Sequence, residues 1–195
     1  MPKKLLIVRA SHDICATEVD HIKTIADMFG MQHETHDLAS LPDFEAAMTG
    51  RGKYDYIYLA GHADVTGFGE SDGSNLVEWE HFATALCSAD CLEPGSILLL
   101  ACCRGGISNV AVRLFMSCAQ IDYVCGPRWT VTGLDITTGF HVFIYNMEIR
   151  HEQPSCAVER ASKATGYDFF CHDRVETEDA YFAETIRTTH RAANP

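Results

Sequence analysis

The chain has 195 residues, 47% of them hydrophobic and 22% charged, which excludes collagen-like, coiled-coil and largely disordered architectures and leaves one domain over residues 1–195. Fifteen Lys and Arg against 27 Asp and Glu give a net charge of −12. A surface that negative repels phosphate backbones and anionic lipid, so nucleic acid and membrane are excluded as partners and a basic polypeptide is the more natural one.

In chain order, Lys4 to Ala10 (KLLIVRA) is predicted as a strand buried on both faces, because continuous apolarity over so short a run suits the parallel strands of α/β proteins. Cys15, Val19, Ile22, Ala26 and Phe29 then repeat at helical spacing, and Gly30 ends that helix. A weaker strand over Met31 to Ala39 leads to a short helix with Leu41, Phe44 and Met48 on one face. Tyr54 to Gly61 (YDYIYLAG) is the second strongly apolar strand. Thr66 to Trp79, with Gly67, Gly69 and the turn Ser71-Asp72-Gly73-Ser74, reads as a small hairpin or extended loop, and helix resumes from Glu80 to Ala89. Ser96 to Cys102 (SILLLAC) is the third buried strand. The stripe Ile107, Val110, Ala111, Leu114, Phe115 and Cys118 marks a helix capped by Ser108 or the glycines before it. Ile121 to Gly126 is the fourth strand; helices follow over Thr138 to Ile149 and Ser155 to Thr165, and the tail adds a strand (DFFCH) and a polar helix. Alternating strand and helix predict an α/β fold: a three-layer αβα sandwich around a mostly parallel sheet of about six strands.

Sites in such sheets form beyond the carboxyl ends of the strands. The second strand runs into Gly61-His62-Ala63-Asp64, and the third into Ala101-Cys102-Cys103-Arg104-Gly105-Gly106. A Cys ending a core strand and a His in a loop are each ordinary alone. At consecutive strand ends, wrapped in glycines, they point to a thiol–imidazole dyad. The imidazole, the following helix N-terminus and Arg104 would all favour the thiolate.

These blocks, YIYLAGH and SILLLACCRGG, resemble the His and Cys blocks of caspase-like cysteine peptidases, most closely of the CHAT branch. Val124 to Trp129, Asp135, Phe140, Ile144-Tyr145 and the helix around Ala157 to Ala161 extend the likeness over residues 54–165. The resemblance implies a cysteine endopeptidase with no cofactor and no metal, cleaving a protein substrate through a thioester in a regulated bacterial stress or defence pathway. It implies His62 as general base and acid, with Cys102 as nucleophile if the whole strand is aligned and Cys103 if Cys-Arg-Gly is. The implied oxyanion donors are the N–H groups of Ala63, where the family has Gly, and of Cys102. For substrate binding, Asp135 beyond Trp129 would select a basic residue, unless it caps a helix; Arg104 and Arg128 would select an acidic one. A catalytically silent interaction or sensor module on the same fold, or control by a separate regulatory or sensor protein, stays open.

Nine cysteines without a CxxC pair, behind an N-terminus lacking a signal peptide's apolar run, imply free thiols in a reducing cytoplasm. Cys87 and Cys91, with His81, have the spacing of a metal edge but no second ligand pair, so burial is expected of them; His33 and His36 are expected to face solvent. Gly67-Phe68-Gly69-Glu70 lacks the Lys-Ser/Thr of a phosphate loop. Ser108 and Asn109 stand where a phosphatase loop needs Arg, and a class I glutaminase has its Cys before its His.

Overall fold

The computed structural model describes residues 2–14 and 16–193, with side chains up to residue 188. Cys15, placed by its spacing on the first helix, lies outside the described residues. The apolar run Lys4–Arg9 forms β1, and α1 (Ala16–Met28) buries Val19, Ile22, Ile25 and Ala26. β2 (Gln32–Asp37) and α2 (Leu41–Met48) follow, then β3 (Tyr54–Ala60). Three short strands, β4 (His62–Ala63), β5 (Gly67–Gly69) and β6 (Val77–Glu78), precede α3 (Trp79–Ser88). The second half comprises β7 (Leu92–Ala101), α4 (Ser108–Ser117), β8 (Ile121–Pro127), α5 (Gly133–Glu148), α6 (Pro154–Thr165), β9 (Phe169–Asp173) and α7 (Arg174–Ala193).

The central sheet has six strands in the order β2-β1-β3-β7-β8-β9. Its strands are parallel except β9, which is antiparallel to β8. Strand alternation sends Leu6, Val8, Ile57, Leu59, Leu98 and Leu100 to one face, beneath α2, α3 and α4. Leu5, Ile7, Tyr56, Tyr58, Ile97 and Leu99 face the other way, beneath α1, α5 and α6. Helices on both faces explain the unbroken apolar runs, since neither side of these strands meets water.

β4, β5 and β6 form a separate antiparallel sheet. Phe68 anchors it in the core, with its ring 5.0 Å from that of Trp79 and 5.1 Å from that of Phe82. Gly67 is required where β5 crosses β6, because a Cβ there would lie 2.3 Å from the Val77 carbonyl oxygen. α7 is anchored at its start by Arg174, whose guanidinium donates to the carbonyls of Phe115, Cys118 and Ile121 around the end of α4. Among the described residues no helix is long and apolar enough to cross a membrane.

Several boundaries differ from the sequence reading. β7 starts at Leu92 rather than Ser96, because Leu92 pairs with Tyr54 across an irregularity that Glu93-Pro94-Gly95 introduces. The α4 cap is Ile107, with no side-chain bond, rather than Ser108. α5 begins at Gly133, well before Thr138, because Thr132 caps it. His33 and His36 are half-buried rather than solvent-facing: His33 bonds Asp27, and His36 packs on Phe44, where burial lowers its pKa.

Candidate functional site

The carboxyl ends of β1, β3 and β7 lie level, with Arg9 opposite Ala60 and Ala60 opposite Ala101. Continuing past these ends, Ser11, His12 and Asp13 follow β1, His62 follows β3, and Cys102 and Cys103 follow β7. This level rim is what brings residues far apart in sequence to one edge of the sheet.

His62 is half-buried, and its Nε2 lies 3.0 Å from each carboxylate oxygen of Asp13. With that proton shared with Asp13, Nδ1 is the basic ring nitrogen. Asp13 is itself held by the Ser11 hydroxyl and by Ser71. These donors, Ser11 first, and the neighbouring His62 keep its carboxyl below the usual range. Ser11 Oγ also lies 2.7 Å from Glu70, which accepts the His12 backbone N–H at 3.0 Å and meets its ring. Glu70 thereby ties the small sheet's connecting loop to the end of β1, and the imidazole stands in a braced carboxylate cluster.

The two adjacent cysteines have different surroundings. Cys102 is 1% exposed and continues the side of Leu98 and Leu100 into the core under α4, where burial pushes its thiol well above the ordinary range. Gly105 packs over it: a Cβ there would lie 3.2 Å from Cys102 Sγ. Cys103 is only half-buried and occupies the turn that leads to α4. That turn is fixed by Arg104 at φ 61°, by Gly105 N–H donating to Cys102 O at 3.3 Å, and by Gly106 N–H donating to Pro127 O at 2.9 Å. Gly106 lies against Gly126 of β8 so closely that a Cβ on it would sit 2.0 Å from the Gly126 oxygen.

Ala63 sits on β4, the edge of the small sheet, opposite Phe68. Asp64 N–H donates to Gly67 O at 2.9 Å, so by the antiparallel alternation the Ala63 N–H faces away from β5. Asp135 is the third residue of α5 rather than its cap, which is Thr132. The Asp135 N–H donates to Thr132 Oγ1 at 3.3 Å, and the Thr132 hydroxyl donates back to the Asp135 carboxylate at 2.6 Å. Trp129 is 56% exposed, and the Arg128 guanidinium sits 5.0 Å from its ring centroid and 5.5 Å from that of Phe170. Arg104 is exposed, with its N–H 3.3 Å from Trp129 O. A cleft of about 180 Å³ beside His62 is lined by Ala63, Asp64, Glu70, Ser71 and Leu76, and another of about 270 Å³ by Gly106, Ser108, Arg128, Phe170 and His172. Neither cysteine of the pair lines them.

Two residues at this edge escaped the sequence reading. Asp13 follows the end of β1, so the strand-end rule that singled out His62 and Cys102 would have found it too. Glu18 gave no such signal: in the first turn of α1 it reads as an ordinary partner of the helix dipole. Its half-buried carboxylate accepts the Tyr58 hydroxyl at 3.2 Å, and burial raises its pKa while Tyr58 and the His62 charge oppose the rise. Among the described residues no group of His, Cys, Asp or Glu is arranged to hold a metal ion. Cys87 lies on α3 and its thiol hydrogen-bonds that of Cys118, but Cys91 lies past the end of α3, buried with its Sγ 3.5 Å from Leu86 O, so the two do not share a helix face. The sequence matches no protein-family model and no curated protein.

Proposed function

We propose that this chain is a caspase-like cysteine endopeptidase in which Cys103 is the nucleophile and His62 the general base and acid. One observation carries the reading. His62, braced by Asp13, and the half-buried Cys103 each lie two residues beyond Ala60 and Ala101, which are paired on neighbouring parallel strands. Cys102 is the weaker candidate, because a thiol sealed in the core must lose its proton without solvent or a charged partner.

In this mechanism His62 takes the Cys103 proton and the thiolate attacks the peptide carbonyl carbon. The C–N bond breaks as the imidazolium returns its proton to the leaving amine, and water then hydrolyses the thioester with His62 again as base. The outward N–H of Ala63 supplies one oxyanion donor. Asp13, held ionised, keeps the imidazole in one tautomer and stabilises its charged form. The substrate class is a polypeptide with basic residues, because Asp13, Glu18, Asp64 and Glu70 crowd the His62 side, whereas Arg128 is already stacked between Trp129 and Phe170.

The test is digestion of an unbiased peptide mixture by the reduced protein, with new termini read by mass spectrometry. Cleavage lost in Cys103→Ala and His62→Ala but kept in Cys102→Ala supports the assignment, whereas loss only in Cys102→Ala transfers the role to that residue. A second reading, a silent interaction module, is favoured by the exposed Val175, Phe182 and Ile186 on α7, and total inactivity of the wild type would leave it standing.

A further inference from the structure

We infer that Cys125 and Cys171 form a reversible disulfide that staples the antiparallel edge strand β9 to β8. The pair is independent of the peptidase reading and uses none of its residues.

Cys125 and Cys171 stand directly opposite each other in the β8–β9 ladder, with their side chains on the same face of the sheet. Directly opposed residues of an antiparallel pair have Cα atoms about 4.5 or 5.5 Å apart, and both separations fall inside the range of roughly 4.4–6.8 Å that a disulfide spans. The backbone is therefore already in place. The sulfurs are 2.7 Å apart, so bond formation needs only a side-chain adjustment. Cys125 is fully buried and Cys171 half-buried at the outer strand, which gives the pair one thiol that solvent reaches and one behind it to resolve.

The oxidant class is a small-molecule disulfide of the glutathione type. The Cys171 thiolate attacks one sulfur of the oxidant, whose S–S bond breaks and releases one thiolate. Cys125 then gives its proton to a departing thiolate and attacks Cys171 Sγ, which expels the second small thiol. Two protein thiols become one disulfide, and one small disulfide becomes two thiols.

The staple has a structural consequence at the rim. His172, next to Cys171, has its Nε2 2.8 Å from Gly106 O, and Gly126, next to Cys125, is the residue against which Gly106 packs. Each cysteine is thus one residue from a contact that fixes the Cys103–Gly106 turn. Oxidation locks both contacts onto one covalent frame.

The experiment titrates the reduced full chain with oxidised glutathione, then maps peptides under non-reducing conditions and records thermal melting. We expect a Cys125–Cys171 peptide and a Tm higher by on the order of 5–10 °C, both reversed by dithiothreitol. Both should be absent in Cys171→Ser and Cys171→Ala and kept in Cys118→Ser. Because Cys125 is buried and its variants risk misfolding, the outer cysteine carries the mutational test. Recovery of both cysteines as free thiols after oxidation, a mixed disulfide that stays on Cys171, or linkage confined to Cys87 and Cys118 would overturn the inference.

Discussion

Asp13 and Glu18 are two carboxylates near the same imidazole with opposite electrostatic histories. Asp13 is surrounded by donors that lower its pKa, whereas Glu18 is partly desolvated and its pKa is raised. Asp13→Asn retains the size of the side chain but removes the charge that fixes the His62 tautomer. The expected outcome is a fall in kcat of about 10²–10⁴-fold with KM little changed, measured on the peptide substrate found by digestion. Glu18 acts on stability instead. Its folded pKa is raised, so its contribution is fully present below its ordinary value of 4.5 and is lost as pH rises through the folded value. Glu18→Gln keeps an acceptor for the Tyr58 hydroxyl without the buried charge. Its Tm at neutral pH should exceed that of the wild type, and the gap should close as the pH falls below 4.5. The candidate pair of strand ends was legible because His62 and the Cys102-Cys103 step follow two strongly apolar runs, although by sequence Cys102 came before Cys103 as the candidate thiol. Asp13 carries the same strand-end signal, but its contact with His62 spans 49 positions and is created only by the level strand ends.

The turn joining β7 to α4 and the end of β8 behave as one element. Gly106 is fixed by contact rather than by unusual torsion, since a side chain there would overlap the Gly126 carbonyl. Gly106→Ala is therefore expected to destabilise by more than ~3 kcal/mol in denaturant unfolding, through backbone displacement at both elements. The fully buried strands were readable from apolar runs, and α1, α2 and α4 from their stripes, because burial on a fixed face imposes the period. The start of α5 was misread because Thr132 caps it and hydrogen-bonds Asp135, whereas the sequence reading gave the cap to the carboxylate alone. Of the small β4–β6 sheet, the β5–β6 hairpin was legible in the glycines and turn between Thr66 and Trp79, whereas β4 and the anchoring of the sheet were not. Its strands are two or three residues long and are held by Phe68 packing on Trp79 and Phe82, a long-range contact with no local period.

At the scale of the whole molecule, the six-stranded sheet sets its carboxyl ends at one rim and gives each side of the site its own sign. Carboxylates surround His62, and the guanidiniums of Arg104 and Arg128 flank the thiol turn, within an overall charge of −12. That asymmetry suits a basic polypeptide steered toward the imidazole side. The most direct test of the account is covalent: the reduced protein is incubated with a thiol-reactive peptide ketone bearing Arg or Lys, and the adduct is mapped by mass. The expected result is stoichiometric modification of Cys103 that disappears in His62→Ala. Slow modification spread over several cysteines, at the same rate in both proteins, would contradict it.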